Sequence, residues 1–86
     1  MAPELLMGQA ASIQSDLYAL GVMIYELVCG QPPFHEGNIE YQHIHNAPPE
    51  IKVGVSERLR KIIMKCIEKD PAQRFQTVEE ILTRII

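Results

Sequence analysis

The sequence predicts an all-α chain with about four helices, and three observations carry that prediction. Leu59, Ile62, Ile63, Cys66 and Ile67 recur at i, i+3, i+4, i+7 and i+8, which puts them on one helical face. Prolines and glycines cut the chain into segments of helical length, with capping residues at their starts. The chain has 86 residues, 47% hydrophobic and 22% charged, the balance of one small globular unit and not of a disordered segment.

Taken in order, the chain opens "MAPELL". Pro3 restricts Ala2 to extended backbone and fixes a turn. Glu4 sits among Leu5, Leu6 and Met7, so its carboxylate needs a cationic partner if it is buried. Residues 15–30 form the first long helix, with Ser15 or Asp16 as its cap. Gly30 closes it in a left-handed conformation, and Pro32 and Pro33 block continuation. Val, Ile and Tyr in this run also suit a buried strand, but its length and end signals favour helix. Only Glu26 is charged between Asp16 and Gly30, which predicts a central helix covered nearly all round. "QPPFHEG" is a rigid turn, and a short helix follows from Asn38 or Ile39 to about Asn46. "VSERLRKIIMKCIEKD" is the clearest helix, capped by Ser56, with Lys65 and Lys69 suiting the dipole at its end. Asp70-Pro71 starts a tight turn with Asp70 as cap. The last helix carries a Thr77-x-x-Glu80 capping box and a stripe of Val78, Ile81, Leu82 and Ile85.

Charge and cysteine content exclude several functions. The net charge is −3, and residues 1–51 hold six acidic and no basic side chains. Residues 52–86 hold eight basic and five acidic ones, which read as the solvated face of a helix. An acidic front half disfavours nucleic acid as a partner. No run approaches the roughly 20 apolar residues that span a bilayer. Cys29 and Cys66 lie in apolar runs and read as two buried thiols in a reducing compartment, although the count alone leaves a disulfide open. His43 and His45 are two apart, a spacing that does not face one side of a helix, so no metal site is expected of them or of His35. No G-x-S-x-G elbow marks a nucleophile.

The order and spacing of "MAPELL", "SDLYALGVMIYELVCGQPPF" and "CIEKDPAQRF" resemble the last third of a eukaryotic-like (Hanks-type) protein kinase domain, and the likeness covers residues 1–86. Tyr18-Ala19-Leu20-Gly21 and Asp70-Pro71-Ala72-Gln73-Arg74-Phe75 look like serine/threonine kinases of bacterial type. The resemblance implies an ion pair between Glu4 and Arg74, tying the end of the activation segment to the loop before the last helix. It implies that Met1, Ala2 and Pro3 form a substrate-pocket wall. It implies that Asp16 anchors the catalytic loop, where a plain helix cap is the alternative, and that Gly21 sits where the central helix packs closely. The helix near Ile39 to Asn46 resembles a docking region for substrates and regulators. Glu36 and Glu40 suit basic peptides there, or are ordinary solvated charges.

Phosphoryl transfer in this family needs a glycine-rich loop, a phosphate-pairing lysine, a catalytic aspartate and metal-binding aspartate and asparagine. Gly8, Gly21, Gly30, Gly37 and Gly54 are too far apart for G-x-G-x-x-G, and Asp16 and Asp70 stand in neither His-Arg-Asp nor Asp-Phe-Gly. No catalytic residue and no metal ligand is therefore expected in this chain, with ATP and Mg²⁺ belonging to a full-length parent kinase. Met1 reads as an internal methionine of such a parent, with this segment cytoplasmic and any membrane anchor of the parent placed elsewhere. The expected partners are the parent's protein substrate, the N-terminal kinase portion and, through an exposed core, a second copy. The alternatives are a non-catalytic kinase-derived interaction or regulatory module, and an unrelated four-helix unit.

Overall fold

The computed structural model describes residues 1–52 and 54–85. The chain forms α1 (Pro3–Leu6), α2 (Ile13–Cys29), α3 (Ile39–His45), α4 (Glu57–Cys66), a single 3₁₀ turn (Pro71–Gln73) and α5 (Val78–Ile85), with no strand among the described residues. The all-α expectation holds. The sequence reading missed α1, a one-turn helix with Pro3 at its first position, where a missing N–H is harmless.

Helix ends follow side-chain chemistry, with three corrections. The cap of α2 is Ser12, not Ser15 or Asp16. Ser12 Oγ accepts from the Ser15 N–H at 3.2 Å, and Ser15 Oγ accepts from the Ser12 N–H at 2.7 Å, so Ser15 completes a capping box instead of opening the helix. Helix α4 keeps its Ser56 cap but stops at Cys66, not at Asp70, because the carbonyls of Glu68 and Lys69 turn toward the Arg74 side chain. At α5, Thr77 Oγ1 accepts from the Glu80 N–H at 3.3 Å, but the Glu80 carboxylate reaches back to the Gln76 N–H, one residue beyond the expected box. Gly30 ends α2 at φ +83°, where a side chain would be strained. Asn38 and Asp70 cap α3 and the 3₁₀ turn.

Helix α2 is the post against which α4 packs. Gly21 allows the approach: a Cβ there would lie 2.6 Å from Cys66 Cβ and 2.8 Å from Ile67 Cγ2. Two apolar clusters result. Ala2, Tyr18, Tyr25, Ile51, Ile63 and Ile67 form one, and Leu17, Ile62, Cys66, Phe75 and Ile81 the other. The linker before α4 is held by Tyr25, whose hydroxyl donates to the Pro49 carbonyl at 2.8 Å, and by Arg60, whose Nε donates to the Ile51 carbonyl at 3.1 Å.

The molecule measures 35 × 27 × 16 Å, so its thin direction holds little more than one helix diameter. That geometry corrects the expectation that α2 is covered all round: Met23 is 53% exposed and Leu27 79%. In α5 only Ile81 of the expected stripe is buried, while Val78, Leu82 and Ile85 face solvent. Cys66 is buried, but Cys29 is only partly so, and both are free thiols.

Replacing Gly21 with Ala sets a helix-propensity gain of about 1 kcal/mol against two sub-van-der-Waals contacts with a packed helix. The clash wins, so Gly21→Ala lowers stability by about 1–3 kcal/mol. Thermal melts followed by circular dichroism check this; an unchanged or raised Tm contradicts the close-packing account.

A buried clasp as the candidate functional site

Glu4 and Arg74 lie 70 residues apart in sequence and meet in the interior. Arg74 Nη1 donates to Glu4 Oε2 at 2.7 Å and Nη2 to Glu4 Oε1 at 2.8 Å, a fork-on-fork pair. Arg74 is 1% exposed and Glu4 4%. The remaining guanidinium protons go to backbone carbonyls: Nε to Glu68 at 2.7 Å, Nη1 to Gln14 at 3.0 Å and Nη2 to Lys69 at 3.1 Å. All five N–H groups are thus used. The guanidinium carbon also sits 4.8 Å from the Tyr18 ring centroid. One side chain thereby joins α1, the start and first turns of α2, and the loop after α4.

Local structure explains how the two partners arrive. Pro3 starts α1 and aims Glu4 inward, and the Gln9 N–H bonds the Glu4 carbonyl at 2.9 Å to close the turn. Asp70 Oδ1 accepts from the Ala72 N–H at 3.0 Å and sets the 3₁₀ turn that delivers Arg74. The hydrogen bonds from Arg74 hold the Glu4 carboxyl below the usual carboxylate range, overcoming the opposing effect of burial.

Tyr18 extends the network to α3. Its hydroxyl lies 2.7 Å from His43 Nδ1, and both side chains are buried. Burial, reinforced by the positive charges of the amino terminus and Lys69, pulls the His43 imidazole down to about 4, so the ring is neutral and pairs with the Tyr18 hydroxyl through Nδ1 as one neutral partner with another. Burial pushes the Tyr18 phenol up to about 12, which keeps it protonated. Phe34 packs edge-on against His43 at 5.0 Å between centroids, and Lys69 Nζ stands 4.5 Å from the Phe34 centroid while donating to the Gln42 carbonyl at 3.2 Å. Burial, then Arg74, brings the Lys69 ammonium down to about 8. The contacts form a closed ring, because the Lys69 carbonyl accepts from Arg74.

The other sequence-selected residues are placed as follows. Met1 is 64% exposed, whereas Ala2 and Pro3 are buried, Ala2 within the Tyr18 cluster. Asp16 is exposed in the first turn of α2, beside Thr77 and Glu79 in an open cleft, and has no partner among the described residues. Glu36 and Glu40 are exposed around the start of α3. His43 and His45 diverge: His45 is exposed and stacks on Tyr41 at 4.5 Å. Sequence reasoning missed Tyr18, Phe34, His43 and Lys69 as members of the clasp, although the family segments contain Tyr18, Phe34 and Lys69 and the metal argument considered His43.

A family model of the protein kinase domain matches residues 1–84. The chain belongs to the protein kinase family. Among relatives, it is 32% identical over 92 aligned residues to the serine/threonine-protein kinase PknB of Mycobacterium leprae, covering 100% of this chain and 15% of that protein. It is 36% identical over 87 residues to a probable serine/threonine-protein kinase of Clostridium perfringens, covering 94% and 13%. The corresponding values are 36%, 94% and 16% over 84 residues for the serine/threonine-protein kinase drp72 of Corynebacterium efficiens. The chain therefore spans about one seventh of the length of these curated relatives.

The clasp and its ring carry an acid signature. The folded pKa values of Glu4 and His43 both lie below their ordinary values of 4.5 and 6.5. At acid pH the unfolded chain therefore binds protons that the folded chain refuses. The stability from His43 is complete above pH 6.5 and is lost as pH falls toward about 4; that from Glu4 is lost below 4.5. Tm is expected to decline from pH 6.5 downward, and His43→Gln to flatten the pH 6.5–4.5 portion. A wild-type Tm that is level between pH 7 and 4.5 contradicts this assignment.

Proposed function

We propose that this chain is the C-terminal part of the large lobe of a serine/threonine protein kinase, supplying scaffold and substrate-side wall to ATP-dependent phosphoryl transfer. One observation carries the reading. The glutamate of Ala-Pro-Glu and the arginine of Asp-Pro-x-x-Arg, 70 positions apart, form a buried bidentate pair with every guanidinium donor used.

In this reading the clasp fixes α1, so Met1 and the backbone of Ala2 and Pro3 hold the end of the activation segment as one side of the substrate pocket. Asp16 presents an unpartnered carboxylate at the head of α2, suited to accept backbone N–H groups of a catalytic loop. Gly21 lets α4 press on the post that positions Asp16. Helix α3, tied to the clasp through His43, presents Glu40 and Tyr41 to a docking protein.

The described residues hold no group of three or more His, Cys, Asp or Glu that could bind a metal. With no glycine-rich phosphate loop in the sequence either, ATP and Mg²⁺ are assigned to other segments of the kinase, and their chemistry would be electrostatic stabilisation of the transferring phosphoryl group. No described helix is long and apolar enough to cross a membrane. A cytoplasmic setting, where ATP is available, belongs to the same proposal. A second reading, a non-catalytic kinase-derived interaction module, draws on the exposed Met23 and Leu27 of α2.

The test is phosphoryl transfer from radiolabelled ATP, with Mg²⁺ and a protein substrate, by the product of the reading frame including all in-frame codons before Met1. Labelled serine or threonine is expected, with Arg74→Ala reducing the rate at least about tenfold; the 86-residue chain alone is expected to transfer nothing. Transfer by the chain alone contradicts the scaffold role. An upstream frame without His-Arg-Asp and Asp-Phe-Gly favours the interaction module.

A further inference from the structure

Four cations of α4 and α5 gather around Phe75. Phe75, buried directly after Arg74, has Lys65 Nζ 5.4 Å from its ring centroid and the Arg84 guanidinium carbon 5.7 Å away. Arg58, Lys61 and Arg84 line a small cleft of about 70 Å³ with Phe75 and Ile62. Arg58 Nη1 reaches across to the Ile85 carbonyl at 3.3 Å, so the two helices are bridged by the same basic set.

Among the described residues, no carboxylate neutralises this set. Among the described residues, none of the four has an ion pair; the pairs present are His35–Glu36, Arg60–Glu57 and Arg74–Glu4. The nearby acids are turned elsewhere. Glu57 is on Arg60, Glu80 accepts from the Gln76 N–H, Glu79 lines the cleft beside Asp16, and Glu68 lines another with Lys69. Arg58 with Lys61, and Lys61 with Lys65, are like-charge neighbours at i,i+3 and i,i+4, an arrangement that weakens a helix. Positive charge kept together at a cost in stability, around a cleft and an aromatic floor, calls for an anionic occupant.

We propose that this α4–α5 face binds a phosphate-bearing side chain of a partner peptide. Phosphate is favoured over carboxylate because it brings close to two negative charges and three acceptor oxygens to a cleft lined by three cations, with Lys65 beside its aromatic floor. Two of these are arginines, whose planar forks match phosphate oxygens. An extended nucleic acid is disfavoured by the six acidic and no basic side chains of residues 1–51. The site is independent of the proposed kinase role, since it uses none of the clasp residues.

The experiment titrates the 86-residue chain into a short fluorescein-labelled Gly/Ala peptide carrying one phosphoserine, read by fluorescence anisotropy at low and physiological salt. The unphosphorylated peptide and a labelled DNA duplex are run in parallel. Saturable binding of the phosphopeptide alone is expected, weakened at least about tenfold by Lys61→Glu or Arg84→Glu and within about twofold of wild type for Lys52→Glu. Lys61 and Arg84 are exposed, so these reversals leave the fold intact, with Lys61→Glu relieving like-charge contacts along α4. Amide chemical-shift changes confined to α4, Phe75 and α5 of the unsubstituted chain give a readout that needs no variant. Equal affinity for both peptides, tighter binding of the duplex, insensitivity to the charge reversals, or shift changes elsewhere would each overturn the proposal.

Discussion

The Arg74 guanidinium organises this fold because its position is set by directional bonds that only arginine can make together. A buried cation without partners is prohibitively expensive, so the chain must bring acceptors to it. Here a carboxylate arrives from α1, a carbonyl from the α2 start, and two carbonyls from the loop after α4. Lysine offers a point charge and three donors, and could not span these four directions in one plane. The requirement shapes backbone as well as side chains: α4 ends where its next carbonyls are needed by Arg74. Buried ion pairs of this kind are weak evidence of net stabilisation, because desolvation opposes the attraction. Their stronger role is specification, since a compact state that leaves either partner unpaired is heavily disfavoured.

Around the clasp, aliphatic packing supplies most of the non-directional stabilisation, but the slab-like shape limits it. Small chains bury a modest share of their apolar surface, and a thickness of 16 Å leaves α2 with one covered face and one open one. Close approach at Gly21 extracts what packing it can from α2 and α4. The exposed Met23 and Leu27 are the counterpart of that geometry. In the proposed kinase setting they lie on the post that further segments of the large lobe would cover.

Much of the fold was legible because it rests on local rules. Ser56, Gly30, Asn38 and Asp70 act as helix boundaries for reasons written in their own side chains and backbone freedom. The α4 stripe was legible because Ile62, Ile63, Cys66 and Ile67 repeat at helical spacing. The family pattern made the Glu4–Arg74 partnership readable; periodicity and composition said only that Glu4 needed some cation. What escaped is what depends on tertiary context. Ser12 outcompeted Ser15 because the two serines bond each other reciprocally. The Tyr18–His43 bond, and the Lys69–Phe34 contact beyond it, join residues 25 to 35 positions apart with no pattern to flag them. The solvent exposure of Val78, Leu82 and Ile85 follows from the absence of a described element over that face of α5.

If the clasp is a coupled unit, removing both partners must be less damaging than the two separate losses imply. The most direct measurement is a double-mutant cycle on stability with Glu4→Gln, Arg74→Met and the combined variant, by urea unfolding at neutral pH. The account predicts that each single change costs about 3–5 kcal/mol and that the pair couples by on the order of 2–3 kcal/mol. Additive losses, agreeing within about 0.5 kcal/mol, would contradict it.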